Sequence, residues 1–94
     1  MSPEERAVWS IEWTSPAKRA LQRLPEKVAT AAVEFIYGPL AEEPRRIGRP
    51  LRLEPEGRYS AHRGDHRIIY RVVDDRKAVV MEAIPHRSDA YRPN

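Results

Sequence analysis

Apolar and polar residues alternate strictly from Val8 to Trp13. Trp9, Ile11 and Trp13 share one side, and Ser10 and Glu12 share the other. A period of two marks a strand with one buried face, so the two tryptophans read as core anchors. At Thr14-Ser15-Pro16 the period changes. Thr14 or Ser15 can cap a helix, and proline is tolerated in its first turn. Ala17, Ala20, Leu21 and Leu24 then recur at helical spacing, with Lys18, Arg19, Gln22 and Arg23 turned outward. Pro25 stops this helix and opens a second, which carries Val28, Ala31, Ala32, Phe35 and Ile36 along one side until Gly38-Pro39 ends or kinks it. Two helices with one apolar stripe each need a sheet to bury them. Residues 41–57 hold three prolines and two glycines and read as an irregular connection, pinned by Leu40, Ile47, Leu51 and Leu53.

The clearest β pattern follows, in RYSAHRGDHRIIYRVV from Arg58 to Val73. A two-residue turn at Gly64-Asp65 suits the twist of an antiparallel hairpin. That turn sets Arg63 opposite His66, His62 opposite Arg67, Ala61 opposite Ile68, Ser60 opposite Ile69, Tyr59 opposite Tyr70 and Arg58 opposite Arg71. Directly opposed residues share a face. Tyr59, Ala61, Ile68, Tyr70 and Val72 then form an apolar face, and Arg58, Ser60, His62, Arg67, Ile69 and Arg71 a cationic one. A slip of one residue would mix the two sets. After a turn at Asp74-Asp75-Arg76, Lys77 to Ile84 reads as a further strand closed by Pro85. Pairing Val73 with Ala78 puts Val79, Met81 and Ala83 on the apolar face and Val80, Glu82 and Ile84 on the cationic one. Glu82 then lies across from Ile69, diagonal to Arg67 and Arg71. It reads as an ion-pair partner that organises those arginines or, more sharply, as a general base. The elements sum to an α+β fold over residues 1–94 as one domain. Two N-terminal helices pack on one face of a largely antiparallel four-stranded sheet, in the order βααβββ, and the other face is open and basic.

Charge sharpens that picture. The chain of 94 residues carries a net charge of +3, but residues 1–40 are balanced, while residues 45–71 hold eight arginines against three acids. Arginine forks onto phosphate, so an anionic partner, nucleic acid above all, fits this face. Arg45, Arg46, Arg49, Arg58, Arg63 and Arg71 are the candidate RNA contacts. No cysteine occurs, which excludes disulfides and Cys-ligated zinc. His62 and His66 leave a hairpin turn on opposite sides, so no metal site is expected, and no cofactor motif is present. The opening MSPEERAVWS has acids where a secretory signal needs an apolar core, and no apolar run reaches membrane-spanning length. A cytoplasmic location without membrane attachment is expected.

The turn-proximal end of the cationic face collects the residue types that metal-free RNA cleavage requires. His86, Arg87 and Tyr91 follow the last strand at the end nearest Arg67, with His62 beside it. One group must take the proton of a ribose 2′-OH, another must protonate the leaving 5′ oxygen, and cations must stabilise charge on the phosphorus oxygens. Histidine is suited to the proton transfers. A basic binding face without catalysis uses the same residue types.

The segments LQRLP at 21–25, GRPL at 48–51, YSAHRGDHRIIYRV at 59–72 and HRSDAY at 86–91 resemble the RelE/ParE superfamily of bacterial toxins, and the RelE branch in particular. That branch cuts mRNA in the ribosomal A site, by 2′-OH attack that leaves a cyclic phosphate. The resemblance implies that Arg67 is the phosphate-stabilising arginine of the family. It makes Arg87 the arginine that stabilises the transition state or donates a proton, and Tyr91 the tyrosine that stacks on the mRNA. Ser60 stands where the family usually has a basic residue, so His62, His86 or Glu82 would have to take over part of the proton transfer. A cognate antitoxin, the ribosome and mRNA are the implied partners. A ParE-like gyrase poison and a non-catalytic RNA- or antitoxin-binding module are the alternatives.

Overall fold

The computed structural model describes residues 8–51 and 57–86. The element order is β1 (Ser10–Trp13), α1 (Ser15–Arg23), α2 (Glu26–Phe35), α3 (Pro44–Ile47), β2 (Arg49–Pro50), β3 (Arg58–Arg63), β4 (His66–Val73) and β5 (Ala78–Ala83). The strands form one sheet in the order β1-β5-β4-β3-β2. β1 runs parallel to β5, and the other neighbours are antiparallel.

The helical layer starts where the sequence placed it. Thr14 Oγ1 accepts the Ala17 N–H at 3.2 Å, capping α1, and its hydroxyl donates to the Met81 carbonyl at 3.1 Å. One side chain thus caps the helix and ties it to β5. α2 runs on into a wide π turn over Ile36–Leu40 that contains Pro39. Proline lacks an N–H and crowds the preceding turn, so the helix widens at Gly38-Pro39 without breaking. Ile36 and Leu40 in that turn are fully buried. They join Ala17, Ala61, Ile68, Tyr70, Val72, Val79 and Met81 in the core, with Trp9, Ile11, Trp13, Leu21, Leu24 and Phe35 packed around them.

The sheet has five strands, one more than expected. The extra strand is the two-residue β2, which pairs Arg49 with Ser60 and Pro50 with Tyr59. A Pro- and Gly-rich stretch carries no strand pattern, and Pro50 is accommodated because β2 is an edge. α3 was likewise not foreseen within that connection.

A buried tyrosine locks the connection in place. The Tyr70 hydroxyl donates to the Pro44 carbonyl at 2.6 Å. Its ring stacks on Tyr59 with centroids 5.7 Å apart. Burial pushes the Tyr70 phenol up to about 12, and the nearby Tyr59 adds to the shift. The folded chain therefore keeps this proton while the unfolded chain, with the ordinary value of 10.0, gives it up as pH rises. The stabilisation is complete below about pH 10 and declines by about 1.4 kcal/mol per pH unit up to about pH 12. Urea unfolding of the wild type and of Tyr70→Phe across that window should show the wild type losing about 2–3 kcal/mol relative to the variant. Parallel stability curves would refute the buried-phenol account.

Candidate functional site

The hairpin of β3 and β4 has the register its sequence predicts, from Arg58 opposite Arg71 to Arg63 opposite His66. Gly64 takes φ +62°, which the first position of such a turn requires. Burial alternates along β4. Ile68, Tyr70 and Val72 face the helices, while Arg67, Ile69 and Arg71 are partly exposed on the open face.

At the turn-proximal end of that open face, Arg67 is aimed by a buried serine. Arg67 Nε donates to Ser60 Oγ at 3.1 Å, and Ser60 is only 7% exposed. His62 is the cross-strand partner of Arg67. β2 adds a wall. The groove that results, about 370 Å³, is lined by Arg49, Pro50, Leu51, Ser60, His62 and Arg67. Among the described residues, two cations, one imidazole and no carboxylate line it. A phosphate could be held there with a proton-transferring ring beside it. Ser60, where the resemblance leads one to expect a basic residue, instead accepts the Arg67 hydrogen bond.

Arg49 reaches the groove because of Gly48. A Cβ at Gly48 would lie 2.9 Å from Tyr70 Cζ and 3.2 Å from the Ser60 carbonyl, with the Tyr70 hydroxyl nearer still. Only glycine lets α3 and β2 close over the Tyr70 phenol. A tyrosine on the core face needs a partner for its hydroxyl, and that requirement was the one sequence clue to this contact.

Glu82 stands further along the same face. Its Oε1 lies 2.8 Å from Arg58 Nε and its Oε2 lies 3.7 Å from Arg71 Nε. The expected ion-pair role holds, with Arg58 in place of Arg67. Neither Nε is aligned for a hydrogen bond with it, so the contact is between charges rather than along an N–H···O line.

Past this point β5 changes phase. Tyr70 pairs with Met81 but Ile69 pairs with Ala83, a bulge that leaves Glu82 as the extra residue. Three expectations change as a result. Ala83, not Glu82, lies across from Ile69. Ile84, expected on the cationic face, is 6% exposed and belongs to the core. His86, expected beside Arg67 and His62, bridges to His66, its ring edge-on to that of His66 with centroids 4.9 Å apart. His66 lines a cleft with Leu24, Val28 and Ala31 of the helical layer, so His86 is turned away from the groove. A lone acid in an otherwise apolar run was the only mark of the bulge.

The other arginines spread out. Arg49 lines the groove, and Arg58 and Arg71 flank Glu82. Arg63 sits 5.8 Å over the Phe35 ring, on the helix side. Its strand parity, shared with Tyr59 and Ala61, already implied that side. Arg45 pairs with Asp74 at 2.7 Å and lies 5.7 Å over the Trp9 ring, and the Asp74 hydrogen bond holds its charge more firmly than usual. Asp74 follows the end of β4 remote from the turn, about 20 Å along the strand from Arg67. Arg46 pairs with Glu43 at 3.1 Å. Neither Arg45 nor Arg46 joins the groove. Arg87, Tyr91, Arg52 and Leu53 lie outside the described residues.

This architecture and these motifs have known counterparts. The family model for the ParE toxin of the type II toxin–antitoxin system parDE matches residues 11–91. Toxin RelE of Mycobacterium tuberculosis is 51% identical over 86 residues, covering 92% of this chain and 89% of that one. The chain belongs to the RelE/ParE superfamily of type II toxins. Within it the chain stands on the RelE branch, and Toxin RelG of the same organism is 43% identical over 84 residues, covering 89% of this chain and 97% of that one. Among solved structures, the RelBE2 toxin–antitoxin complex of Mycobacterium tuberculosis contains a chain with a TM-score of 0.79 and 41% identity, over 85% of this chain and 99% of that one. The RelE-type α+β fold of helices on one mostly antiparallel sheet is thus the fold of this toxin, with β2 at the edge of its sheet. Among the described residues, no helix is long and apolar enough to cross a membrane.

Proposed function

We propose that this RelE-family toxin is a ribosome-dependent mRNA endonuclease that needs no metal. The observation that carries the reading is the cross-strand pair of His62 and Arg67 in a polar groove, with Arg67 oriented by Ser60 and Arg49 on the facing wall. In this scheme the mRNA phosphate lies against Arg67 and Arg49. His62 takes the proton of the 2′-OH as the O2′–P bond forms. The P–O5′ bond breaks, the 5′ oxygen takes a proton from solvent water, and a cyclic phosphate remains. Charge on the phosphorus oxygens is met by the arginines. Arg87 and Tyr91 match the family's C-terminal arginine and stacking tyrosine and are proposed to close the site over the leaving group and the base. His86, held against His66, has no part in the scheme.

The ribosome supplies the mRNA and its alignment, which this small groove does not enclose, and places the action in the cytoplasm. A cognate antitoxin is the proposed regulator, in keeping with the RelBE2 complex in which a similar chain was solved.

The test is a bacterial translation reaction with purified protein and mapped mRNA 5′ ends. Cuts are expected only when ribosomes are present. Intact mRNA with arrested gyrase supercoiling would replace this reading with a gyrase poison. No effect in either assay, with antitoxin still bound, would replace it with a binding module.

A further inference from the structure

The open face carries a second pair of arginines, and its chemistry differs from that of the groove. Arg58 and Arg71 are directly opposed across β3 and β4. Like charges so placed repel each other unless an anion stands between them. Glu82 is that anion. Its side chain is only 17% exposed, against 40% for each arginine, and each of its carboxylate oxygens addresses one of them. The bulge at Ile69/Tyr70 leaves Glu82 as the extra residue of β5 at this point. Three charges there sum to one positive charge, with a fixed carboxylate among the donors. An approaching phosphate meets a single net cation and a repelling anion, whereas in the groove Arg49 and Arg67 stand with no acid among the described lining residues.

We propose that Glu82 is a specificity-determining positioning residue. It masks Arg58 and Arg71, so that RNA phosphates are gripped only at the Arg49–His62–Arg67 groove and free RNA is held weakly. The mask keeps the toxin from being absorbed by bulk RNA. The proposal rests on the RNA-directed reading of the same face. It reassigns Arg58 and Arg71 from phosphate contacts to a cluster that Glu82 half-neutralises.

The test measures binding of a short fluorescent oligouridine without ribosomes, at several salt concentrations between about 50 and about 200 mM. Glu82→Gln should bind about tenfold tighter at the low end, and the slope of log K against log salt should steepen by about 0.7 for each arginine freed. Glu34→Gln makes the same change in net charge on the exposed side of α2 and should leave the slope at its wild-type value. Equal slopes for the two variants would overturn the proposal. If Glu82→Gln does not fold, Arg58→Gln and Arg71→Gln decide. Their slopes should match the wild type, while Arg67→Gln loses about 0.7. A loss of that size in either variant would overturn the masking. Elution from a heparin column reads the masking with no RNA present, and later elution of Glu82→Gln than of Glu34→Gln supports it. Masking confirmed by heparin alongside absent ribosome-dependent cleavage would reject the nuclease reading alone.

Discussion

Replacing Arg67 with alanine should lower ribosome-dependent mRNA cleavage by about 10²–10³-fold, the usual cost of removing one preorganised group from a developing oxyanion. That corresponds to about 2.7–4 kcal/mol of transition-state stabilisation. The size follows from how the side chain is held. Nε is committed to Ser60 Oγ at 3.1 Å, so the outer guanidinium nitrogens are oriented before substrate arrives. A preorganised cation needs little rearrangement at the moment of reaction. Arg67→Lys should recover only part of the loss, because an ammonium has neither the fork nor the Nε anchor. Ser60→Ala keeps the charge but frees its direction, and a smaller loss of about tenfold is expected. Single-turnover cleavage on programmed ribosomes, read by primer extension, separates the three variants. Thermal melts should find all three folded, since Arg67 lies on the open face outside the core. Wild-type cleavage by Arg67→Ala would remove the groove from the mechanism.

Gly48→Ala should destabilise the fold by about 1–3 kcal/mol, the usual cost of forcing a methyl group into a filled space. The new carbon would meet the Tyr70 hydroxyl and would stand 2.9 Å from Cζ and 3.2 Å from the Ser60 carbonyl. Tyr70→Phe alone should also cost about 1–3 kcal/mol, because the Pro44 carbonyl loses its buried donor. The double variant is the informative one. Removing the hydroxyl clears the nearest obstacle to the methyl group added at position 48, so the two losses should fall short of additivity by about 1 kcal/mol or more. Urea unfolding of the four proteins measures this coupling. Strict additivity would show that Gly48 and Tyr70 do not share a contact. Gly48→Ala should also reduce cleavage beyond its effect on stability, because the same contact seats β2 and with it Arg49.

Much of the site was legible before any coordinates. Strand alternation with period two couples register to burial, and the register set by the Gly64-Asp65 turn keeps Tyr59 and Ala61 on the face of Ile68, Tyr70 and Val72. That alone put His62 opposite Arg67 and Ser60 on the same face. The capping and proline pattern of residues 14–25 placed α1 and the start of α2 by equally local rules. The same rules exclude Arg63 from the open face, although its charge makes it a candidate RNA contact.

The rest depended on contacts that no local pattern encodes. The bulge of β5 turns Ile84 into the core and His86 toward His66, and a lone acid in an apolar run does not by itself say that a residue has been added. Arg49 became part of the groove through Gly48, Tyr70 and the Pro44 carbonyl, groups up to 26 residues apart that meet only when α3 closes over the sheet. Charge density on the sequence counted all the arginines of residues 45–71 alike. Ion pairs and one ring contact divide those of the described residues into the cations of the groove, those facing Glu82, and those held by Asp74, Glu43 and Phe35 elsewhere. The sequence by itself therefore determined the hairpin and its two faces, because both follow from side-chain period and short-range turn chemistry, and it pointed to the family through the resemblance of its motifs. Only the tertiary structure decided which cations stand beside His62 with no carboxylate among the described residues of the groove, because charge balance depends on which side chains come within a few ångströms of one another.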